Sequence, residues 1–198
     1  MSAQADLWVF GYGSLMWRPG FLYEEAVHAA LIGAHRALCI YSHIHRGTPQ
    51  HPGLVLGLDN GGTCEGVAFR VPARCRHATL SYLRRREQVS NVYRPVLRWV
   101  SLKVDEPQTA KALCYMVNRN HRQYAGALPV MEQVHLVRRS KGRSGKNTDY
   151  VMNTVRHLRE CGVVDARLER LMPMLGGAVL RRMPAFTLAA PMPTSKES

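Results

Sequence analysis

Four apolar residues, Leu7 to Phe10, run without a polar break into Gly11-Tyr12-Gly13-Ser14. A short apolar run rich in strand formers and closed by two glycines predicts a strand delivered into a pliable loop. Five further segments have strand length and β-branched or aromatic content: 34–42 (AHRALCIYS), 54–58 (LVLGL), 65–71 (EGVAFRV), 94–104 (RPVLRWVSLKV) and 112–118 (ALCYMVN). Glycine, proline and Asn-Gly punctuation separates them, Asp59-Asn60-Gly61-Gly62 being the clearest, and predicts turns at those places. Five or six strands in an antiparallel or mixed arrangement follow from this pattern.

The apolar spacing changes to a helical one elsewhere. From about Ala73 to Glu87, the residues Ala78, Tyr82 and Leu83 recur at helical spacing beside Arg84, Arg85 and Arg86. This predicts an amphipathic helix with a basic outer face and Glu87 at or just past its end. From about Asn147 to Cys161, Val151, Val155 and Leu158 keep the same spacing, with Thr148-Asp149 placed to cap the first turn and Gly162 placed to stop the last. Shorter helices are predicted over about 129–139 and 165–172, the latter ended by Pro173. Beyond Met183 the sequence PAFTLAAPMPTSKES loses periodicity, so one domain over 1–183 and a flexible C-terminal tail over 184–198 are expected.

Composition narrows the class. The 198 residues are 46% hydrophobic and 21% charged, the balance of a globular domain. No window approaches the roughly 18 apolar residues of a membrane span, and the start lacks a basic-then-apolar leader, so a soluble cytoplasmic protein without membrane attachment is expected. Five cysteines with no CxxC pair predict reduced, mostly buried thiols rather than a disulfide framework or thiolate metal site. The formal net charge of +13 comes from 27 basic and 14 acidic residues. Such a surplus suits a nucleic acid or a small carboxylate-bearing substrate, and charge alone does not choose between them.

Several catalytic motifs fail on spacing. Gly11-Tyr12-Gly13 begins like a dinucleotide fingerprint, but Met16 stands where the third glycine belongs. The stretch from Gly142 to Asn147 lacks the leading glycine and the metal-binding hydroxyl of a phosphate loop. Ser14 is not the nucleophile of a hydrolase elbow, because Tyr12 and Met16 occupy the glycine positions. His43, His45 and His51 lie in a proline-broken loop with no acidic neighbour and read as solvated histidines. Two features survive. Tyr12-Gly13-Ser14-Leu15 reads either as a plain glycine turn or as a nest whose backbone N–H groups meet an anion. Glu87 reads either as an ion-paired surface glutamate or as a catalytic acid, and Arg84 to Arg86 read as a solvated helix face.

Six blocks in order carry a resemblance that bears on this choice: WVFGYGSLMWRPGF (Trp8 to Phe21), HRGTPQHPG (His45 to Gly53), GVAFRVP (Gly66 to Pro72), REQVSNVY (Arg86 to Tyr93), YAG (Tyr124 to Gly126) and SGKNTDYVMN (Ser144 to Asn153). Over about residues 7–175 the chain resembles the ChaC family of glutathione-specific γ-glutamylcyclotransferases. The departures are Met16 in place of the family's usual other aliphatic residue, a more basic helix-start loop, and a tail without counterpart.

The resemblance implies an α+β fold built on a small mixed or antiparallel β-barrel with flanking helices. It implies a lyase-type conversion of glutathione to 5-oxoproline and Cys-Gly, with no cofactor and no metal. It implies Glu87 as the catalytic acid and base, and Tyr12, Gly13, Ser14 and Leu15 as the substrate-binding loop. Arg46 and Tyr124 are further substrate-binding candidates, Arg46 by pairing with a carboxylate and Tyr124 by a hydrogen bond or as a wall. Arg84 and Arg86 are expected to face outward, because a cation beside Glu87 would weaken it as a base. A monomer acting on a small molecule is expected. The competing readings are a cyclotransferase for other γ-glutamyl amines or dipeptides, and a basic nucleic-acid-binding module, which the scattered arginines disfavour.

Overall fold

A computed structural model describes residues 5–87 and 90–176. The opening apolar run forms β1 (Leu7–Gly11). Along one edge it pairs antiparallel with β3 (Gly53–Val71), from Leu7 opposite Val71 to Gly11 opposite Val67. Along the other it runs parallel to β5 (Gln108–Val117), Trp8 opposite Ala112 and Val9 opposite Leu113. With β2 (Glu25–Ser42) and β4 (Tyr93–Leu102), antiparallel at Ala29 and Leu102, the five strands close into a barrel in the order β1-β3-β2-β4-β5. This is the mixed barrel with flanking helices that the resemblance implied.

Two strands are longer than the residue pattern predicts. β2 begins at Glu25 rather than near 34, and β3 fuses the two segments 54–58 and 65–71 into one. The glycines between them explain the second difference. Gly61 and Gly62 have φ of 92° and 73°, left-handed values that bend a strand without ending it. His35 Nδ1 lies 2.8 Å from the Gly61 carbonyl oxygen there.

The described residues divide into two compact units, one made of 5–35 with 60–87 and 90–116, the other of 36–59 with 117–176. The core of the first holds Val9, Phe10, Val67, Phe69, Leu83 and Ala112, all buried. Phe21 and Tyr23 meet Phe69 edge-on at 5.7 and 5.0 Å between ring centroids, and Phe21 meets Tyr82 at 6.3 Å. A 3-10 turn over Ala73–Cys75 leads into α1 (Arg76–Glu87). The inward face of α1 is narrower than predicted and rotated: Thr79 and Leu83, one turn apart, are buried, while Ala78 is exposed. A methyl group gains little from burial, so Ala78 carries weak information about which face turns inward.

In the second unit α2 (Val130–Arg139) precedes a hairpin of β6 (Lys141–Gly142) and β7 (Gly145–Lys146) and then α3 (Asn147–Glu160). Thr148-Asp149 does not cap α3: the capping position is Lys146, without a side-chain bond. Asn147 instead pins the helix to β3, its amide donating to the Leu54 carbonyl at 2.8 Å and accepting from the Leu54 N–H at 2.7 Å. Gly162 ends α3 with φ 67°, as predicted. The single helix predicted over 165–172 is two turns, α4 (Ala166–Glu169) and α5 (Met172–Leu175), and Pro173 opens the second rather than closing the first. Asp165 caps α4 and bonds the buried Arg36 at 2.9 Å. The tail predicted over 184–198 lies outside the described residues. No helix among the described residues is long and apolar enough to cross a membrane.

Candidate functional site

The loop leaving β1 coils into a single turn, the Met16 N–H donating to the Gly13 carbonyl at 2.8 Å and the Arg18 N–H to the Ser14 carbonyl at 2.9 Å. Tyr12, Gly13 and Leu15 are buried while Ser14 is exposed, so the serine hydroxyl is the part of this turn offered to solvent. Where the loop leaves this turn, Gly20 takes φ 73°, and a Cβ there would lie 2.1 Å from the Tyr82 hydroxyl. Only glycine lets the backbone pass this close to α1.

Glu87 is the last residue of α1, its side chain only 16% exposed. Burial pushes its carboxyl above the ordinary carboxylate value, and Arg86 beside it pulls the other way without cancelling the effect. The negative end of the helix dipole also disfavours a charge there. Tyr115 of β5, 2% exposed, feels the same carboxylate: burial first, and Glu87 second, push its phenol to about 12.

Arg86 does not face outward. It is 19% exposed, and its Nε lies 3.1 Å from Glu87 Oε1. One terminal nitrogen donates to Ser14 Oγ at 2.8 Å, the other to the Tyr82 hydroxyl at 2.8 Å and to the carbonyls of Arg18 and Pro19 at 2.6 and 3.2 Å. The fork of donors finds two carbonyls and two hydroxyls within reach, a set that water would otherwise have to supply. Arg84 and Arg85 are exposed, as predicted. The turn and the carboxyl are therefore joined through one guanidinium. Sequence reasoning missed Arg86, Tyr82 and Tyr115. The four-residue spacing of Tyr82 and Arg86 puts both on one face of a helix and was the available signal.

Arg46 and Tyr124 belong to the second unit, where their polar groups are engaged. Arg46 donates to the Ser144 and Lys146 carbonyls, the latter at 3.4 Å, and lies over the Tyr150 ring at 5.2 Å. The Tyr124 hydroxyl donates to Asp59 at 2.7 Å, and Arg119 donates to the other oxygen of the same buried carboxylate at 2.7 Å. The five cysteines carry no disulfide, and burial pushes the Cys39 and Cys114 thiols up to about 12, leaving neither with appreciable thiolate near neutral pH.

The closed mixed barrel with flanking helices is also the fold to which the comparisons point. A family profile described as ChaC-like protein matches residues 7–177. The chain is 32% identical over 169 residues to the glutathione-specific gamma-glutamylcyclotransferase of Escherichia coli (strain K12), covering 85% of this chain and 72% of that one. It is 32% identical over 160 residues to glutathione-specific gamma-glutamylcyclotransferase 1 of Homo sapiens, covering 79% and 71%. The crystal structure of a gamma-glutamyl cyclotransferase specific to glutathione from yeast shares the fold, with a TM-score of 0.77 over 87% of this chain and 96% of that one at 21% identity. The chain belongs to the ChaC-like family.

Proposed function

We propose that this protein converts glutathione to 5-oxoproline and Cys-Gly, with Glu87 as the acid and base. The observation that carries this reading is the buried carboxyl of Glu87, ion-paired with Arg86, which in turn donates to Ser14 of the first loop, in a chain whose relatives bear that activity in their names. The substrate brings its own nucleophile. The α-amine of the γ-glutamyl unit attacks that unit's side-chain carbonyl, a C–N bond closes a five-membered ring, and the bond to the Cys-Gly nitrogen breaks. The γ-glutamyl ammonium gives one proton to solvent before it attacks and the Cys-Gly amine takes one up after release, so a single proton is left to pass between the two nitrogens and no net proton, electron or cofactor is consumed.

Two tasks remain for the protein. The γ-glutamyl chain must be held folded so that amine and carbonyl meet, and a proton must pass from the attacking to the departing nitrogen. Backbone N–H groups of Tyr12, Gly13, Ser14 and Leu15, with the Ser14 hydroxyl, grip the α-carboxylate or the developing oxyanion. Glu87, as carboxylate, takes the proton from the attacking amine and, as acid, returns it to the leaving nitrogen. No step calls on Arg46 or Tyr124. This reading places the protein in the cytoplasm, where its thiols stay reduced.

The test is 5-oxoproline release from glutathione by the purified protein, measured across pH beside another γ-glutamyl dipeptide. Glutathione is the expected substrate; turnover of only the other dipeptide rejects the specificity. The base must be ionised to accept a proton, and burial raises the Glu87 carboxyl. Activity is therefore lost as pH falls through a midpoint above about 4.3, the ordinary glutamate value. An acid limb of kcat/KM at or below that value contradicts Glu87 as the buried base.

A further inference from the structure

We propose that Arg86 is a positioning residue that clamps the Ser14 turn to the end of α1 and fixes the direction in which Glu87 presents its carboxyl. The proposal rests on the reading of Glu87 as acid and base and goes beyond it, because Arg86 itself acts on neither the substrate nor the proton.

The geometry separates a clamp from a substrate anchor. A residue kept to bind an incoming carboxylate would hold its N–H donors toward open space. Arg86 commits all three of its nitrogens to the protein: Nε to Glu87, one terminal nitrogen to Ser14, the other to Tyr82, Arg18 and Pro19. These partners lie on both sides of the site. Tyr82 and Glu87 belong to α1, whereas Ser14, Arg18 and Pro19 belong to the loop after β1. The guanidinium also lies 5.9 Å from the centroid of the Tyr82 ring, and that ring is held edge-on by Phe21. Rotation of the clamp would therefore disturb packed aromatic groups as well as hydrogen bonds.

The same contact tempers Glu87. Among the described residues, the charged and titratable groups recorded as acting with Glu87 are Arg86 from its own helix and Tyr115 from β5, on which Arg84 acts in turn. Arg86 is the cation among them in direct contact. It favours the carboxylate, opposing a burial that disfavours it. A lysine at this position would keep the charge but, with one compact ammonium, would not reach the same set of acceptors.

Arg86→Gln and Arg86→Lys test the clamp. Both are expected to lower kcat about 100-fold, the cost of a misplaced catalytic group, and to raise KM by a smaller factor as the Ser14 turn loosens. In the glutamine variant the acid limb of the pH profile moves upward, and in the lysine variant it stays near the wild-type position. Addition of Ser14→Ala to Arg86→Gln is expected to cost less than the two losses combined, because the residues share one contact. If the glutamine variant does not fold, the lysine variant alone decides, and wild-type kcat in it overturns the clamp. A second measurement is independent of activity: titration of the Glu87 carboxyl by carbon NMR in substrate-free protein labelled at glutamate, with the resonance assigned through Glu87→Gln. An upward shift in Arg86→Gln is expected, and an unmoved midpoint overturns the proposal. Failure of Glu87 as acid and base would appear instead as activity surviving in Glu87→Gln, with the NMR shift intact.

Discussion

Glu87→Gln is expected to abolish 5-oxoproline release while leaving the protein folded. Glutamine keeps the size and one acceptor oxygen of glutamate but neither accepts nor returns a proton at neutral pH. Positioned acid–base groups contribute about 10² to 10⁴-fold to rate, so the variant falls by at least about 100-fold and, with the background reaction slow, toward no detectable product. Folding is not the cause of the loss. The carboxyl is raised because burial costs its ionised form more than Arg86 returns. A group whose folded value is raised gives stability below its unfolded value and loses it as pH rises through the folded one. At pH 7 the neutral amide avoids that cost, and thermal unfolding should show Glu87→Gln at least as stable as wild type. Loss of activity accompanied by a lower melting temperature would indicate a structural role for Glu87, and activity above a few percent of wild type would remove it from the mechanism.

The second large effect is one of stability, in the second unit. Arg36 is 1% exposed and donates to Asp165, 11% exposed, at 2.9 Å. Asp165 also accepts from the Arg167 and Leu168 N–H groups at the start of α4. Removal of one partner from a buried pair leaves a charge whose desolvation is no longer offset, at a cost of about 3–5 kcal/mol. Asp165→Asn isolates the charge, because asparagine caps a helix as well as aspartate. A fall in melting temperature of roughly 10 °C is expected for a chain of this size. Arg36→Met combined with Asp165→Asn should recover much of the loss, since the buried cation that Asp165 balances is then gone too. Glu160→Ala removes the surface contacts of Glu160, itself more than half exposed, with Arg156 and His157, and should change stability by less than about 1 kcal/mol. Equal effects of Asp165→Asn and Glu160→Ala would contradict the buried-pair argument.

What the sequence carried and what it did not follow from the same physics. The run from Leu7 to Phe10 and the stripe Val151, Val155 and Leu158 were legible because local period and burial agree there. β3 was cut in two because Asp59-Asn60-Gly61-Gly62 has a turn's composition, yet its glycines bend a continuing strand. Neighbouring strands decide between those outcomes, and no local window contains them. Glu87 alone was ambiguous, and six ordered blocks rather than its own surroundings raised it to a catalytic candidate. Arg86 was misplaced because a run of three arginines reads as a solvated face. Its partners Ser14, Arg18 and Pro19 lie 67–72 residues away in the sequence, so only the folded chain shows that one of the three turns inward.

The reaction assigned to this protein takes its nucleophile from within the substrate, and oxygen labelling distinguishes that directly from hydrolysis. Glutathione turned over in water enriched in oxygen-18 should give equal amounts of Cys-Gly and 5-oxoproline, with no label in the ring carbonyl. Glutamate bearing oxygen-18 as the primary product would show that water attacks the γ-carbonyl, and would contradict the account.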